Sequence, residues 1–274
     1  MSTKTIVVTR PSGQARQLIE VLTKSIERSG VAKRSLPEIA SLPLLTIVPK
    51  ADHSLADHIA TSLKDADLAI FVSPNAIECV MRLLERDWQK FSKKIIPIGV
   101  MGGSSKLALL NHGVGQEKNP TPVLIPKNNE QWDSEGLWQE LQSLGWDFKN
   151  KKIVIFKGEG GREWLADTLM NTGATVEAIS VYTRVPLDLA NPAWHVIREM
   201  DFSKSLWLLT SSEAVRYLGQ VVKDQFPQGL QAASALCPHQ NIADTAKAIG
   251  FGEVFTTESG DEALIKASLA WLMI

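Results

Sequence analysis

One series of short β-branched runs occurs twice in this chain, each run closed by a small-residue turn and followed by a helical pattern. Ile6-Val-Val-Thr-Arg-Pro parallels Ile153-Val-Ile-Phe-Lys-Gly, and Leu68-Ala-Ile-Phe-Val-Ser-Pro-Asn-Ala-Ile parallels Leu206-Trp-Leu-Leu-Thr-Ser-Ser-Glu-Ala-Val. Ile98-Gly-Val-Met-Gly-Gly-Ser-Ser matches Leu236-Cys-Pro-His-Gln-Asn-Ile-Ala, and Val123-Leu-Ile-Pro matches Val254-Phe-Thr-Thr. A proline-bracketed extended segment recurs as well, at 42–49 and at 178–186. Continuous apolar runs suit strands buried on both faces, and strands alternating with helices suit parallel sheets. Any two α/β halves resemble each other in outline. The shared order of the turn chemistries favours a degenerate tandem duplication, each copy carrying about five strands in a doubly wound sheet.

The pattern predicts helices from Ser12 to about Ser29-Gly30, over 52–64, from Ser73-Pro74 onward, from Met101 to Leu110 and from Ser134. Ser73 followed by Pro74 is a strong helix start, a cap oxygen and then a residue that needs no N–H partner. Strands are expected at 5–9, 68–72, 94–99, 123–126 and 153–156. Prolines at both ends of 42–49 and 178–186 suit edge or connecting strands. Residues 31–41 are mixed and polar and give no clear reading.

A chain of 274 residues is long enough for two lobes. Its net charge of −1 provides no general attraction to nucleic acid or to an anionic membrane. An anionic ligand must therefore meet local cations and backbone amides. Cys79 and Cys237, the two cysteines, are too few for a disulfide framework and lack metal-ligand spacing. Met1-Ser-Thr-Lys leads directly into a strand without a charged-then-apolar leader, and no apolar run nears the ~20 residues of a membrane helix, so a cytoplasmic location is expected.

Ligands of open parallel sheets bind beyond the carboxyl ends of the strands. The residues at those positions are Thr9-Arg10, Ser73-Pro-Asn75, Gly99 to Ser105, Lys157 to Arg162, Thr210-Ser211-Ser212 and Pro238-His239-Gln-Asn. Hydroxyls, glycines and scattered cations of this kind suit carboxylates or phosphates. Each has a plainer explanation when taken alone. Gly158 to Gly161 fails the dinucleotide fingerprint, because Glu163 stands at the last glycine position, and it lacks a Gly-Lys-Ser/Thr ending. By itself it reads as a tight strand-to-helix turn. Ser73 and Ser212 read as helix caps, Tyr182 as packing, and His239 as a loop or capping residue. This strand-end set contains no convincing general-base histidine with a carboxylate partner and no metal cluster such as His-Glu-x-x-His.

Taken together, Val8-Thr-Arg-Pro, Phe71-Val-Ser-Pro-Asn-Ala-Ile, Lys157-Gly-Glu-Gly-Gly-Arg-Glu, Gly173-Ala and Val181-Tyr-Thr-Arg resemble the uroporphyrinogen-III synthase family. Leu209-Thr-Ser-Ser-Glu-Ala-Val, Pro238-His-Gln-Asn-Ile-Ala-Asp and Asp261-Glu-Ala-Leu continue the resemblance through the second half. It implies an α/β fold of two flavodoxin-like lobes joined by two linker strands, with the site in the cleft between them. Lobe 1 would comprise 1–41 plus 187–274, lobe 2 would be 50–177, and the linkers 42–49 and 178–186.

The activity implied is a cyclising hydro-lyase that converts hydroxymethylbilane, a linear polycarboxylate tetrapyrrole, to uroporphyrinogen III with its last ring inverted. No cofactor and no metal is implied. Tyr182 would be the hydrogen-bond donor or acid to the leaving hydroxyl. Thr9, Arg10, Ser73, Asn75, Lys157, Gly158, Arg162, Thr210, Ser211, Ser212 and His239 would contact substrate. The partner is the small-molecule substrate, with no nucleic acid or membrane. The chain would be a monomer in transient contact with the preceding enzyme, hydroxymethylbilane synthase. Two other readings of the residues stay open here: a bilobal module binding a flavin or small anion without catalysis, and a nucleotide-dependent transferase resting on the glycine loop alone.

Overall fold

The computed structural model describes residues 3–29, 36–84, 88–92, 94–128, 131–225 and 229–274. In chain order the elements are β1 (Thr5–Val8), α1 (Ser12–Arg28), β2 (Glu38–Ser41), β3 (Leu45–Pro49), α2 (His53–Lys64), β4 (Leu68–Phe71), α3 (Pro74–Leu84), β5 (Ile98–Val100), α4 (Gly103–Asn111), β6 (Val123–Leu124) and α5 (Ser134–Ser143). They continue with β7 (Lys152–Gly158), α6 (Trp164–Asn171), β8 (Thr175–Pro186), α7 (His195–Glu199), β9 (Ser205–Leu208), α8 (Ser212–Gln225), α9 (Gly229–Ala232), β10 (Ser234–Cys237), α10 (Gln240–Ala248), β11 (Glu253–Thr256) and α11 (Asp261–Leu272). No helix among the described residues is long and apolar enough to cross a membrane.

The strands form two sheets, one ordered β11-β10-β9-β1-β2 and the other β3-β8-β7-β4-β5-β6. Every registered pair in both is parallel. Superposing the orders pairs β1 with β7, β9 with β4, β10 with β5 and β11 with β6. These are the four strand pairs of the sequence repeat. Adding β2 against β8 gives each sheet the flavodoxin order 2-1-3-4-5. β3 extends the second sheet as an edge, and its hydrogen bonds run antiparallel: Lys50 N–H donates to Val181 O (3.0 Å), and Leu187 N–H donates to Leu44 O (3.0 Å).

The chain divides into two compact units, Met1–Thr46 with Val185–Ile274, and Ile47–Arg184. Each unit has an apolar layer on either face of its sheet, as burial of both strand faces requires. In the second unit, Ala69 and Phe71 of β4 enter one layer with Val154 and Phe156 of β7. Leu68 and Ile70 enter the other with Ile153 and Ile155. In the first unit, Val7 and Trp207 face one layer, Ile6, Val8, Leu206 and Leu208 the opposite one. Helices contribute apolar residues at 3.6-residue spacing, as α1 does with Ala15, Leu18, Leu22 and Ile26.

Several sequence expectations are corrected. β5 begins at Ile98 rather than Lys94, because Pro97 has no N–H for the ladder. α4 begins at Gly103 rather than Met101. The proline-bracketed segment 178–186 is the last nine residues of a twelve-residue strand, β8, which pairs with β7 as far as Tyr182 and with β3 from Val181 onward. Pro186 is tolerated there as its last residue. Of the unclear segment 31–41, residues 38–41 form β2 against β1; 31–35 and Gly30 lie outside the described residues.

Asp67 ties the start of β4 to that of β7. Its carboxylate accepts from Lys152 N–H (2.9 Å) and Lys94 Nζ (2.9 Å), with Lys151 Nζ at 3.8 Å. Burial raises its pKa, but the Lys152 and Lys94 hydrogen bonds and the charges of Lys94 and Lys151 outweigh that and hold it below the usual carboxylate value. A depressed folded-state pKa stabilises above the unfolded value near ~3.9 and loses its effect as pH falls through the folded one. Asp67→Asn is therefore expected to lower unfolding free energy at neutral pH by about 1–3 kcal/mol. The gap to the unaltered protein should close in acid, as urea titrations at several pH values would show.

Candidate active site

The residues singled out by their positions after strands fall into two sets, one in each unit. In the unit Ile47–Arg184 the set is built on the ends of β4, β7 and β8. Pairing of β7 with β8 runs in step from Lys152 against Thr175 to Lys157 against Ser180, then jumps so that Gly158 faces Tyr182. Val181 is the extra residue of a bulge, which breaks the two-residue alternation. Successive side chains, Val181 and Tyr182, consequently join the same core layer. Tyr182 is 4% exposed. Its hydroxyl lies 3.0 Å from Ser73 Oγ, and its carbonyl accepts from Glu159 N–H (2.8 Å).

The ring rests on Gly158. A Cβ built there would stand 2.6 Å from Tyr182 Cε2 and 2.5 Å from Arg184 Nη1. The Arg184 guanidinium lies 5.9 Å from the tyrosine ring centroid and donates to Glu159 O (3.0 Å). Glu159 also pairs with Lys50 at 3.2 Å. Ser73 caps α3 by accepting from Ala76 N–H (3.2 Å), as the Ser-Pro signal predicted. Asn75 sits in the first turn of the same helix.

The glycine stretch separates β7 from α6 rather than turning directly from strand into helix. β7 continues through Gly158, and α6 does not begin until Trp164. Gly160 and Gly161 adopt φ of +68° and +90° with open space at the Cβ position, so they serve backbone conformation. Only Gly158 serves close approach, and what approaches is Tyr182. Lys157 Nζ pairs with Glu163 at 2.6 Å, and Arg162 pairs with Glu135 while its guanidinium lies 6.0 Å from the Trp164 ring centroid. Each cation has donors beyond the one that meets its carboxylate, since lysine carries three N–H groups and arginine five. Further along the sheet, Trp132 covers the start of α4. A Cβ on Gly102 or Gly103 would meet its indole at 2.9 or 2.7 Å.

In the other unit the set lies on the ends of β1, β9 and β10. Thr9 is buried, and its hydroxyl donates to Leu208 O (2.7 Å), joining β1 to β9. Arg10 follows, with Nη1 2.6 Å from Asp261 at the start of α11. Thr210 is half-buried ahead of α8. Ser211, not Ser212, is the cap of α8, accepting from Ala214 N–H (3.3 Å). This is the role of Ser73 transposed by the repeat. Ser212 instead donates to Asn241 O (3.3 Å). His239 precedes α10, with Nε2 3.3 Å from Ser259 Oγ. A surface groove of about 480 Å³ lined by Arg216, Lys223 and Ile249 lies along the middle of α8, away from these strand ends.

Sequence reasoning missed Arg184, Glu159, Trp132, Asp261 and Ser259 as participants. Asp261 stands inside a quoted motif, and Arg184 ends the Val-Tyr-Thr-Arg string, so the residues were in view without their partners. Among the described residues no three His, Cys, Asp or Glu side chains come together as a possible metal site. Burial raises the thiols of Cys79 and Cys237, the latter to about 12, which keeps both as protonated packing groups.

Two compact α/β units, each with a flavodoxin-order sheet and with hydroxyls, cations and helix starts at its strand ends, define a protein of the doubly wound α/β class. Comparison with known proteins is specific. The family description Uroporphyrinogen-III synthase HemD matches residues 32–266, and the chain belongs to the uroporphyrinogen-III synthase family. Uroporphyrinogen-III synthase of Escherichia coli (strain K12) is 27% identical over 268 residues, covering 96% of this chain and 98% of that protein. The Salmonella typhimurium enzyme is 28% identical over 276 residues, with the same coverage. The crystal structure of uroporphyrinogen-III synthetase from Helicobacter pylori matches with a TM-score of 0.58 at 14% identity, covering 98% of this chain and 99% of that one. A mutant uroporphyrinogen III synthase from the extremely thermophilic bacterium Thermus thermophilus matches with a TM-score of 0.54 at 14% identity and 99% coverage of both. Both structures share the fold.

Proposed function

We propose that this chain converts hydroxymethylbilane to uroporphyrinogen III, releasing water and inverting the last ring. Membership of the family across 32–266 carries the reading. Tyr182 supplies the proton with which the terminal hydroxyl leaves as water, generating an azafulvene cation. The last pyrrole attacks through its substituted carbon to give a spiro intermediate, which fragments and recloses inverted. The proton lost when the closing pyrrole regains aromaticity returns to the tyrosine. No nucleophile on the protein is required. The protein's task is to hold a flexible chain in one reactive conformer, an orientation effect.

Arg10, Lys157 and Arg162, with Thr9, Asn75, Gly158, Thr210, Ser211, Ser212 and His239, take the substrate's carboxylates through cationic, hydroxyl and backbone N–H contacts, whereas Ser73 faces Tyr182 Oη at 3.0 Å. The segments 42–49 and 178–186 serve as linkers of two lobes. The working form is a cytoplasmic monomer. Because free hydroxymethylbilane closes unaided to the type I isomer, transient contact with hydroxymethylbilane synthase would limit its loss.

Freshly made hydroxymethylbilane incubated with the protein is expected to yield the type III isomer, and type I alone would defeat the reading. Tyr182→Phe is expected to lower kcat about 10²-fold, the lower end of general-acid contributions, since orientation supplies the rest. Complete loss in a folded variant would make the phenol an obligate acid.

A further inference from the structure

The Ser73–Tyr182 contact joins the cap of α3 to β8, and its direction decides which proton the site can offer. Ser73 Oγ has one proton to donate and two lone pairs. One lone pair is occupied by Ala76 N–H at 3.2 Å. Tyr182 Oη lies 3.0 Å away, and either oxygen can donate. If Tyr182 donated to Ser73, its only proton would be committed there. An N–H donated into Ser73 Oγ polarises that hydroxyl and makes it the better donor. The positive end of α3 beside it favours negative charge on the phenolic oxygen. Both effects orient the bond from Ser73 to Tyr182 and leave the tyrosine proton free.

We propose that Ser73 is a positioning residue for proton donation by Tyr182. Its hydroxyl donates to the phenolic oxygen, directs the Tyr182 O–H outward and holds the phenolate once that proton has gone to the leaving hydroxyl. The proton later released from the closing pyrrole restores the O–H, so Ser73 keeps its own proton throughout. The role differs from contact with a substrate carboxylate, because it acts through Tyr182. Other charged groups around the ring are Arg184 on β8, at 5.9 Å from its centroid, and Glu159 beyond β7, which pairs with Lys50 beyond β3. Arg184 donates to Glu159 O (3.0 Å), Lys50 takes the Glu159 carboxylate, and the phenol hydroxyl faces Ser73 Oγ.

The inference rests on Tyr182 being the proton donor, and the test separates the two. Turnover and isomer ratio are measured for Ser73→Ala, Tyr182→Phe and the double variant. Ser73→Ala is expected to lower kcat about tenfold with KM within twofold of the unaltered protein, and to have no further effect once Tyr182 is Phe. Ser73→Thr, which restores the hydroxyl, should recover most of the rate. A purely capping role would weaken the start of α3 equally in both backgrounds. Should Ser73→Ala fold poorly, Ser73→Gly retains most of the helix start and takes its place. An equal fall in both backgrounds, or a raised KM at unchanged kcat, overturns the positioning role while Tyr182 stands. An unchanged kcat in Tyr182→Phe removes the proton-donor reading and this inference with it.

Discussion

Gly158→Ala is expected to reduce turnover about 10²-fold in a protein that still folds. Its added methyl would lie 2.5 Å from Arg184 Nη1 and 2.6 and 2.7 Å from Tyr182 Cε2 and Cζ. The arginine tip can swing aside. The tyrosine ring cannot do so freely, because it is buried in the core layer and bonded to Ser73 at 3.0 Å. Restoring ordinary van der Waals separation requires a ring shift of roughly 1 Å, since carbon contacts settle near ~3.5–4.0 Å. A displacement of that size at the proposed proton donor costs about 10² in rate. Gly160→Ala is the control. It meets open space and bears only the strain of φ +68°, about 1–2 kcal/mol, far from the ring contact. Parallel kcat measurements and circular dichroism would compare them, and an unimpaired Gly158→Ala enzyme would show that Tyr182 needs no such seat.

Trp207→Ala is expected to be the most destabilising single change, by about 3–5 kcal/mol. The side chain is fully buried in β9, its Nε1 donates to Ser205 Oγ (3.0 Å), and its rings pack near Phe202 at 6.3 Å and Phe251 at 5.8 Å. Removal leaves a large cavity under the central strand of its sheet. Domain stabilities of about 5–15 kcal/mol leave little margin for that. With urea slopes of about 1–3 kcal/mol/M, the midpoint should fall by roughly 1–3 M. Its core layer shares no residue with those of Ile47–Arg184, so a later transition from that unit should persist. Trp207→Phe should lose much less, and an unchanged midpoint for the alanine variant would mean that the β9 layer repacks.

The strand series was readable because both faces of each sheet are covered. Buried runs such as 153–156 and 206–209 stand out without any alternation. Matching turn chemistries then identified which strands correspond, and the two sheet orders agree over five strands, with β3 added to the second. What stayed hidden depends on contacts distant in sequence. The purpose of Gly158 is set by a tyrosine on the neighbouring strand, and no local rule separates it from Gly160 and Gly161, whose reason is backbone angle. The bulge at Val181 leaves no mark in composition, yet it aims Tyr182. Ser211 and Ser212 are adjacent hydroxyls at the start of α8, and only hydrogen-bond geometry shows which one caps it. Arg10 reads as a free cation in its string, whereas Asp261 holds it from the far end of the chain.

The order of the first sheet also has a consequence for synthesis on the ribosome. β1 lies between β2 and β9, and β9–β11 are among the last strands made. The nascent chain emits β1 and β2 first, then the whole contiguous unit Ile47–Arg184, and only later the strands that complete the opening pair. At ~5–20 residues per second, that opening segment waits several seconds without its central neighbour. The middle of the polypeptide can therefore be folded while its beginning still lacks a completed sheet, and the final subdomain closes by capturing a segment translated long before.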